Sequence, residues 1–568
     1  MPDGSSRNPF TTADQLTLAD VLFRIEADPV LEPQRCRNLC SAIRGLGKLI
    51  RKDLRYLPAD PGFYRPFFRR LHPEHSGLSK SRIANIKSDV LFALRHVGCI
   101  QGARTYMAPL TPGWGKLWEA ADCVDRLRLY VSRFMHYCSA QGIEPEDVDD
   151  AVSERLRQAL VDESFVKDPV ATWKGILRTW NKLVEMVPEW PQTKLTIPNG
   201  RDDYSIPLDR FPESLQAEVA KLVTYWRGDD ILDDTGPLKP LKPHTIKSRL
   251  YRLRQAASAL VLQGRAIEEV TSIAMIVDVT AAKIVLRFYL ERAGGKPTSQ
   301  VHGIAILIKT LAKHWVSVDD NHLEQLKDLC AKVDPQIKGL TEKNRARLRQ
   351  FDDLKNVRLL LDFPRRRINQ ALASDRGRRL DAVAVQIALA VELLLMMPVR
   401  AENLVNLNLD RHIQRSRAGK NGVVHVVIPG TEVKNDEDLE FELPEDTVEL
   451  LDLYLSAYHP RLTGGSSPWL FPGANGPKTV NTLGEQIKAH VFNATGLEIN
   501  LHLFRHIAAK LHLDRNPGAY EVVRRVLGHR SIDTTTRFYA GLETAAAGRH
   551  FDQEILKLRN ELCGGVAT

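Results

Sequence analysis

The step at which apolar residues recur confines this chain to a mainly helical fold. Ile43, Leu46 and Ile50, then Ile83, Ile86, Val90 and Leu94, return every three or four residues, which lines one face of a helix. Leu501, Phe504, Ala508 and Leu511 repeat the pattern near the C-terminus. A different rule holds from Val423 to Leu443. Val423 to Ile428 is rich in β-branched residues and bounded by Gly422 and Pro429-Gly430, while Leu439, Phe441 and Leu443 alternate with Asp438, Glu440 and Glu442. Those are two strands, with Lys434 at the tip between them. The expected class is mainly α with a small β-hairpin or sheet (α+β). At 568 residues the chain exceeds what one hydrophobic core usually serves, so several domains are expected.

An internal likeness orders the N-terminal half. Gly142 and Gly264 each end a predicted helix, and Glu146-Asp147-Val148 matches Glu268-Glu269-Val270 at the same offset. Pro169, Gly175, Ile176 and Leu183 then match Pro297, Gly303, Ile304 and Leu311, with a loop's worth of extra residues in the second copy. The expected organisation is a helical region over 1–112, one helical copy over 113–200, and a Pro-, Asp- and Gly-rich linker over 201–240 holding a single helix. A second copy follows over 241–335, then a basic connector over 336–379, a domain over 380–545 and a tail helix over 546–568.

Charge is unevenly spread. The net charge is +9, yet 341–379 alone holds twelve Lys or Arg against five Asp or Glu. Lys343, Arg345, Arg347, Arg349, Arg365, Arg366 and Arg367 are therefore candidate contacts to a polyanion; on charge alone a solvated helix face serves equally well. The seven cysteines are scattered, and the Cys36/Cys40 pair has no second pair to complete a zinc set. The first residues carry no apolar run, and Ala382 to Val399 is too short and too polar to span a bilayer, so a cytoplasmic chain without a membrane partner is expected.

The chemistry gathers between Leu501 and Tyr539, which hold His502, Arg505, His529 and Tyr539 in sequence. Singly, a His/Arg pair three apart is usually a solvated edge of a helix. His502 and His506 have the spacing of two zinc ligands, but Leu503 stands where H-E-x-x-H needs Glu and Arg505 would repel a cation.

As an ordered set these residues resemble the signature of the tyrosine recombinases, the phage-integrase family: H-x-L-R-H, then L-G-H, then T-T-x-x-Y. His502-Leu503-Phe504-Arg505-His506 matches the first with Phe504 for Leu, Leu527-Gly528-His529 the second, and Thr535-Thr536-Arg537-Phe538-Tyr539 the third. The resemblance places Arg400 as the first catalytic arginine and Lys434 as the hairpin lysine. Where the family often has an acid three residues after that arginine, this chain has Asn403, with Glu402 beside it.

By resemblance the catalytic set is Arg400, Lys434, His502, Arg505, His529 and Tyr539, and His506 is structural. Tyr539 would attack a DNA phosphodiester and keep the bond energy in a 3′-phosphotyrosine. The arginines would hold the phosphoryl oxygens, and Lys434 would protonate the leaving oxygen. No cofactor or metal is implied. Double-stranded DNA is the expected partner, bound by a homo-tetramer or a mixed recombinase tetramer of a site-specific recombinase serving a mobile element, nucleoid-associated when on DNA. The second helical copy sits where the family keeps its core-binding domain. The neighbouring functions are a silent DNA-binding accessory and a type IB topoisomerase-like relaxing enzyme.

Overall fold

The structure, a computed structural model, describes residues 16–100, 108–124, 127–198, 204–228, 240–336, 339–373, 377–416, 423–465, 467–539 and 544–563. The chain divides into two compact units, Met1–Pro198 with Gly339–Thr568, and Asn199–Lys338.

The first unit is organised by the helix Arg379–Met396, which is buried on nearly every side. Its polar residues have partners, as burial requires. Gln386 donates to the Tyr454 hydroxyl at 2.8 Å, that hydroxyl donates to the Leu470 carbonyl at 2.9 Å, and Glu392 accepts from Thr447 at 3.0 Å. The helix ends at Met396, two residues before Pro398, which has no N–H to continue it. A three-stranded antiparallel sheet follows, with β2 (Val424–Ile428) between β1 (Ile413–Arg415) and β3 (Leu439–Glu442). The two expected strands are present, the first one residue and the second two residues shorter than read; β1 was not expected. Val424, Val426 and Ile428 turn into the core that Leu389 and Leu393 also build.

The basic stretch read as a connector is packed structure. Leu348, Phe351, Leu359, Leu360, Phe363 and Ala371 lie in that same core, because the cations of 341–379 alternate with apolar residues at helical steps. Upstream, 18–100 and 114–195 each build a helical core of their own. His72 and His75 reach across to the Asn493 and Thr495 carbonyls at 3.2 and 2.9 Å. In the tail helix Thr544–Cys563, Phe551, Ile555, Leu558 and Leu562 are all exposed.

The second unit holds the second copy, from Pro243–Leu262 through Ile267–Glu269 to Ser299–Leu311. The first copy runs in the same order, Leu127–Ala140, Pro145–Asp147, Asp150–Asp162 and Pro169–Met186. Gly142 and Gly264 both take positive φ, 66° and 99°, which glycine adopts without steric cost. Part of the expected linker belongs to this unit. Phe211, Leu215, Val219, Leu222 and Trp226 of the helix Glu213–Arg227 and its approach are buried with Leu253 and Leu260.

Candidate active site

The helix Leu503–Arg515 presents His502 at its N-cap and Arg505 one turn on. Of the expected stripe Leu501 and Phe504 are buried and Ala508 and Leu511 half-buried, Leu503 and Ile507 join them in the core, and Arg505 is only 5% exposed. A guanidinium is tolerated there because three of its five N–H groups have acceptors. It donates to the Pro398 carbonyl and the Leu527 carbonyl, both at 2.7 Å, and to Nε2 of His529 at 3.3 Å. Burial and the nearby Arg400 still push its pKa down to about 10.

Those bonds settle the form of His529. Arginine can only donate, so Nε2 of His529 accepts and its Nδ1 carries the proton, given to the Thr535 hydroxyl at 2.9 Å. Burial, then Arg505, Arg400 and Arg524, hold His529 down at about 4. Gly528 ends the preceding helix at φ 58°, and a Cβ there would meet Leu439 of β3 at 2.7 Å. Only glycine lets the His529 loop and the sheet close so tightly.

Arg400 caps the short helix Ala401–Val405. Its Nη1 is buried and has no hydrogen-bond partner. Asn403 stands where an acid was expected, and its amide donates to the Glu432 carbonyl at 3.4 Å, a long contact that leads into the Lys434 turn. Lys434 itself is exposed. Its neighbour Asn435 donates to the Gly528 carbonyl at 2.6 Å, so the lysine turn is tied to the residue before His529. Neither this tie nor Thr535 as the anchor of His529 shows in the spacing of the motifs.

Tyr539, at the end of the helix Ile532–Tyr539, is 1% exposed and packs with Ala509, Leu513, Val523 and Leu527. Burial pushes the phenol up to about 12, against the opposing pull of Arg505. Its hydroxyl lies 2.9 Å from Nδ1 of His506. His506, read from sequence as structural, is thus in contact with the expected nucleophile. Its ring meets that of His502 edge-on at a centroid distance of 5.1 Å.

The structure therefore brings Arg400, His502, Arg505, His529 and Tyr539 together, joined by His506, and leaves Lys434 exposed at the rim. Among the described residues none of these cations has a carboxylate within ion-pair distance, and no group of three His, Cys, Asp or Glu side chains is set to hold a metal. Such a nest of desolvated donors suits a phosphate.

The seven candidate polyanion contacts are disposed differently. Lys343, Arg345 and Arg349 are exposed and Arg347 is half-buried. Arg365 pairs with Asp446, Arg366 lies 3.6 Å from Glu74, and Arg367 is half-buried with Nη1 on Gln370. No helix among the described residues is long and apolar enough to cross a membrane.

Among solved structures, the XerH site-specific recombinase bound to difH substrate matches 51% of this chain and 76% of its own at 16% identity, with a TM-score of 0.33. XerA recombinase matches 60% and 98% at 18% identity (TM-score 0.24). The Tn1549 transposon integrase in complex with a circular intermediate DNA matches 59% and 98% at 15% identity (TM-score 0.35). No curated protein matches the chain. The sequence pattern of the phage integrase family matches residues 363–545, which hold all six residues of the expected catalytic set. Through residues 363–545 the chain carries a domain of the phage integrase, or tyrosine recombinase, family.

Proposed function

We propose that this protein is a site-specific DNA recombinase that cuts and rejoins duplex DNA through a 3′-phosphotyrosyl link at Tyr539 and serves a mobile genetic element. The observation that carries the reading is the cationic nest without carboxylates, with one buried Arg400 donor unpartnered beside a tyrosine. A scissile phosphate supplies the missing acceptor. Arg400 and Arg505 hold its non-bridging oxygens, His502 completes the shell, His529 orients Arg505 through Nε2, and charge growing on those oxygens is met by donors already in place. Lys434, on its exposed turn, reaches the leaving 5′-oxygen and protonates it. Lys343, Arg345, Arg347 and Arg349, with Arg365, Arg366 and Arg367, contribute phosphate contacts, and 241–335 grips the duplex as the core-binding domain.

Strand exchange between two duplexes takes four protomers. The exposed apolar stripe of the tail helix, Phe551 to Leu562, supports assembly, since a row of large apolar side chains gains by burial against another copy. The test uses nicked duplexes tiled across the DNA that flanks the protein's own gene. The wild type should trap a covalent protein–DNA adduct whose peptide maps to Tyr539. Tyr539→Phe should bind equally and trap none. Relaxation of a supercoiled plasmid without exchange would make the enzyme a topoisomerase, and no adduct at all would leave an accessory DNA-binding protein.

A further inference from the structure

We infer that His506 is a catalytic residue, the base that takes the proton of Tyr539 when the phenol attacks the phosphodiester and returns it on resealing. The inference rests on the recombinase reading above. Its ground is geometric: of the imidazoles in the cluster, His506 is the one bonded to the phenol oxygen, through Nδ1 at 2.9 Å. His529 is excluded from this role. Its Nε2 is taken by Arg505 and its Nδ1 proton by Thr535, so it faces the phosphate-holding arginines and not the nucleophile. His502 adjoins His506 but has the exposed position at the mouth of the site, suited to the phosphate.

A tyrosine needs such a partner here. Its burial makes loss of the proton harder than in water, and expelled water cannot accept it. The groups facing His506 are His502, Arg505, His529 and Tyr539; burial first, then the first three, keep it neutral, with its value down at about 4. Neutral imidazole with the proton on Nε2 leaves Nδ1 as the acceptor the phenol requires. An arriving phosphate changes the balance. Its negative charge offsets Arg400, Arg505 and the histidines, so the same imidazole becomes a stronger base when substrate is present.

The step balances. The bond from Tyr539 Oη to phosphorus forms, the bond from phosphorus to the 5′-oxygen breaks, the phenolic proton passes to Nδ1 of His506, and the leaving oxygen receives a proton from Lys434. Resealing runs the four events backward, with imidazolium His506 protonating the departing phenolate.

The experiment measures single-turnover cleavage of a nicked duplex, of the kind described above, by the full chain. His506→Ala should cleave about 100-fold slower than wild type, in the range usual for loss of a positioned base. Added imidazole should restore part of that rate. His506→Asn discriminates further, because its amide oxygen can accept the phenol's hydrogen bond but takes up no proton. It should be as slow as His506→Ala, and both should lose the acid limb of the pH–rate profile. Cleavage by His506→Asn at the wild-type rate would reduce His506 to a positioning residue and overturn the inference. Faster cleavage by His506→Ala would overturn it too, by showing that the bond merely holds the tyrosine back. An absence of adducts from the wild type itself would defeat the functional reading instead.

Discussion

Two sets of cations in this protein follow opposite rules. Arg505 is buried and Arg400 half-buried, and no described carboxylate pairs with either. Along 341–379 several are exposed or carry an acid: Arg365 with Asp446, Arg366 near Glu74, Arg358 with Asp362 at 3.5 Å. Water reaches most of the second set, although Arg366 Nη2 and Arg367 Nε are buried without a partner. In the first, Arg505 is satisfied by carbonyls and a histidine, while Arg400 keeps a buried donor idle. An idle buried donor costs about 1–3 kcal/mol, more when charged. In the proposed recombinase, a scissile phosphate arriving at Arg400 offsets that cost. In the proposed recombinase, positive charge along the surface is where a polyanion lies, and the desolvated cations without acids are where one phosphate reacts.

The sharpest test separates the two arginines. Arg400→Ala should slow cleavage by about 10²–10³-fold, as for loss of one preorganised donor, and leave the melting temperature unchanged or raised. Arg505→Ala should match that catalytic loss but also destabilise the fold, since the Pro398 and Leu527 carbonyls lose a charged donor, about 1–3 kcal/mol each. Equal melting temperatures for the two variants would break the distinction between an idle and an engaged arginine.

Acid should expose the same contrast. His506 and His529 are held at about 4 in the fold, against an ordinary value of 6.5. On acidification the unfolded chain takes up these protons first. Stability is therefore whole above about pH 6.5 and is lost as pH falls toward about 4. Melting curves across that window should show the loss, and His529→Gln should flatten it. Inorganic pyrophosphate should also lessen it, by giving the imidazoles a reason to charge within the fold. An unaltered slope in both arms would mean that other groups govern the acid limb.

How much of this was legible in the sequence follows from how local each feature is. His502, Arg505, His529 and Tyr539 were readable because their spacing lies within one stretch. What Arg505 does was not, since its partner Pro398 is more than a hundred residues away in sequence. The same holds for Asn435, bonded across the fold to Gly528. The hairpin strands showed as β-branched and alternating runs, whereas β1 has only three residues, held by pairing with Val424–Val426. The helix ends at Gly142 and Gly264 were readable because glycine takes positive φ there. The linker reading went astray because Pro, Asp and Gly flank the helix Glu213–Arg227. Leu215, Val219, Leu222 and Trp226, at helical steps, carried the better signal.

A smaller effect belongs to the tie between the rim and the nest. Asn435→Asp keeps size but loses the donor to the Gly528 carbonyl, so the Lys434 turn should sample more positions. Cleavage should fall about tenfold, within the range for a misplaced general acid. A duplex with sulfur in place of the leaving 5′-oxygen, which departs without a proton, should erase the difference. If the deficit persists on the sulfur substrate, Asn435 acts through His529 rather than Lys434.

The smallest effect is expected where the surface cations already have partners. Each phosphate neutralised by a free cation adds about 0.9 to the slope of log affinity against log salt. Arg365 and Arg366 are engaged with Asp446 and Glu74, and Arg367 is half-buried, so a phosphate must compete for each. Replacing all three with Ala should weaken binding across DNA sequences yet change the slope by less than about one. Replacing Lys343, Arg345, Arg347 and Arg349, which have no such acids among the described residues, should change it by more. Equal changes from the two sets would show that a neighbouring carboxylate does not lessen a surface cation's hold on DNA, and the absence of acids around Arg400 would then lose its meaning as a mark of the reacting phosphate.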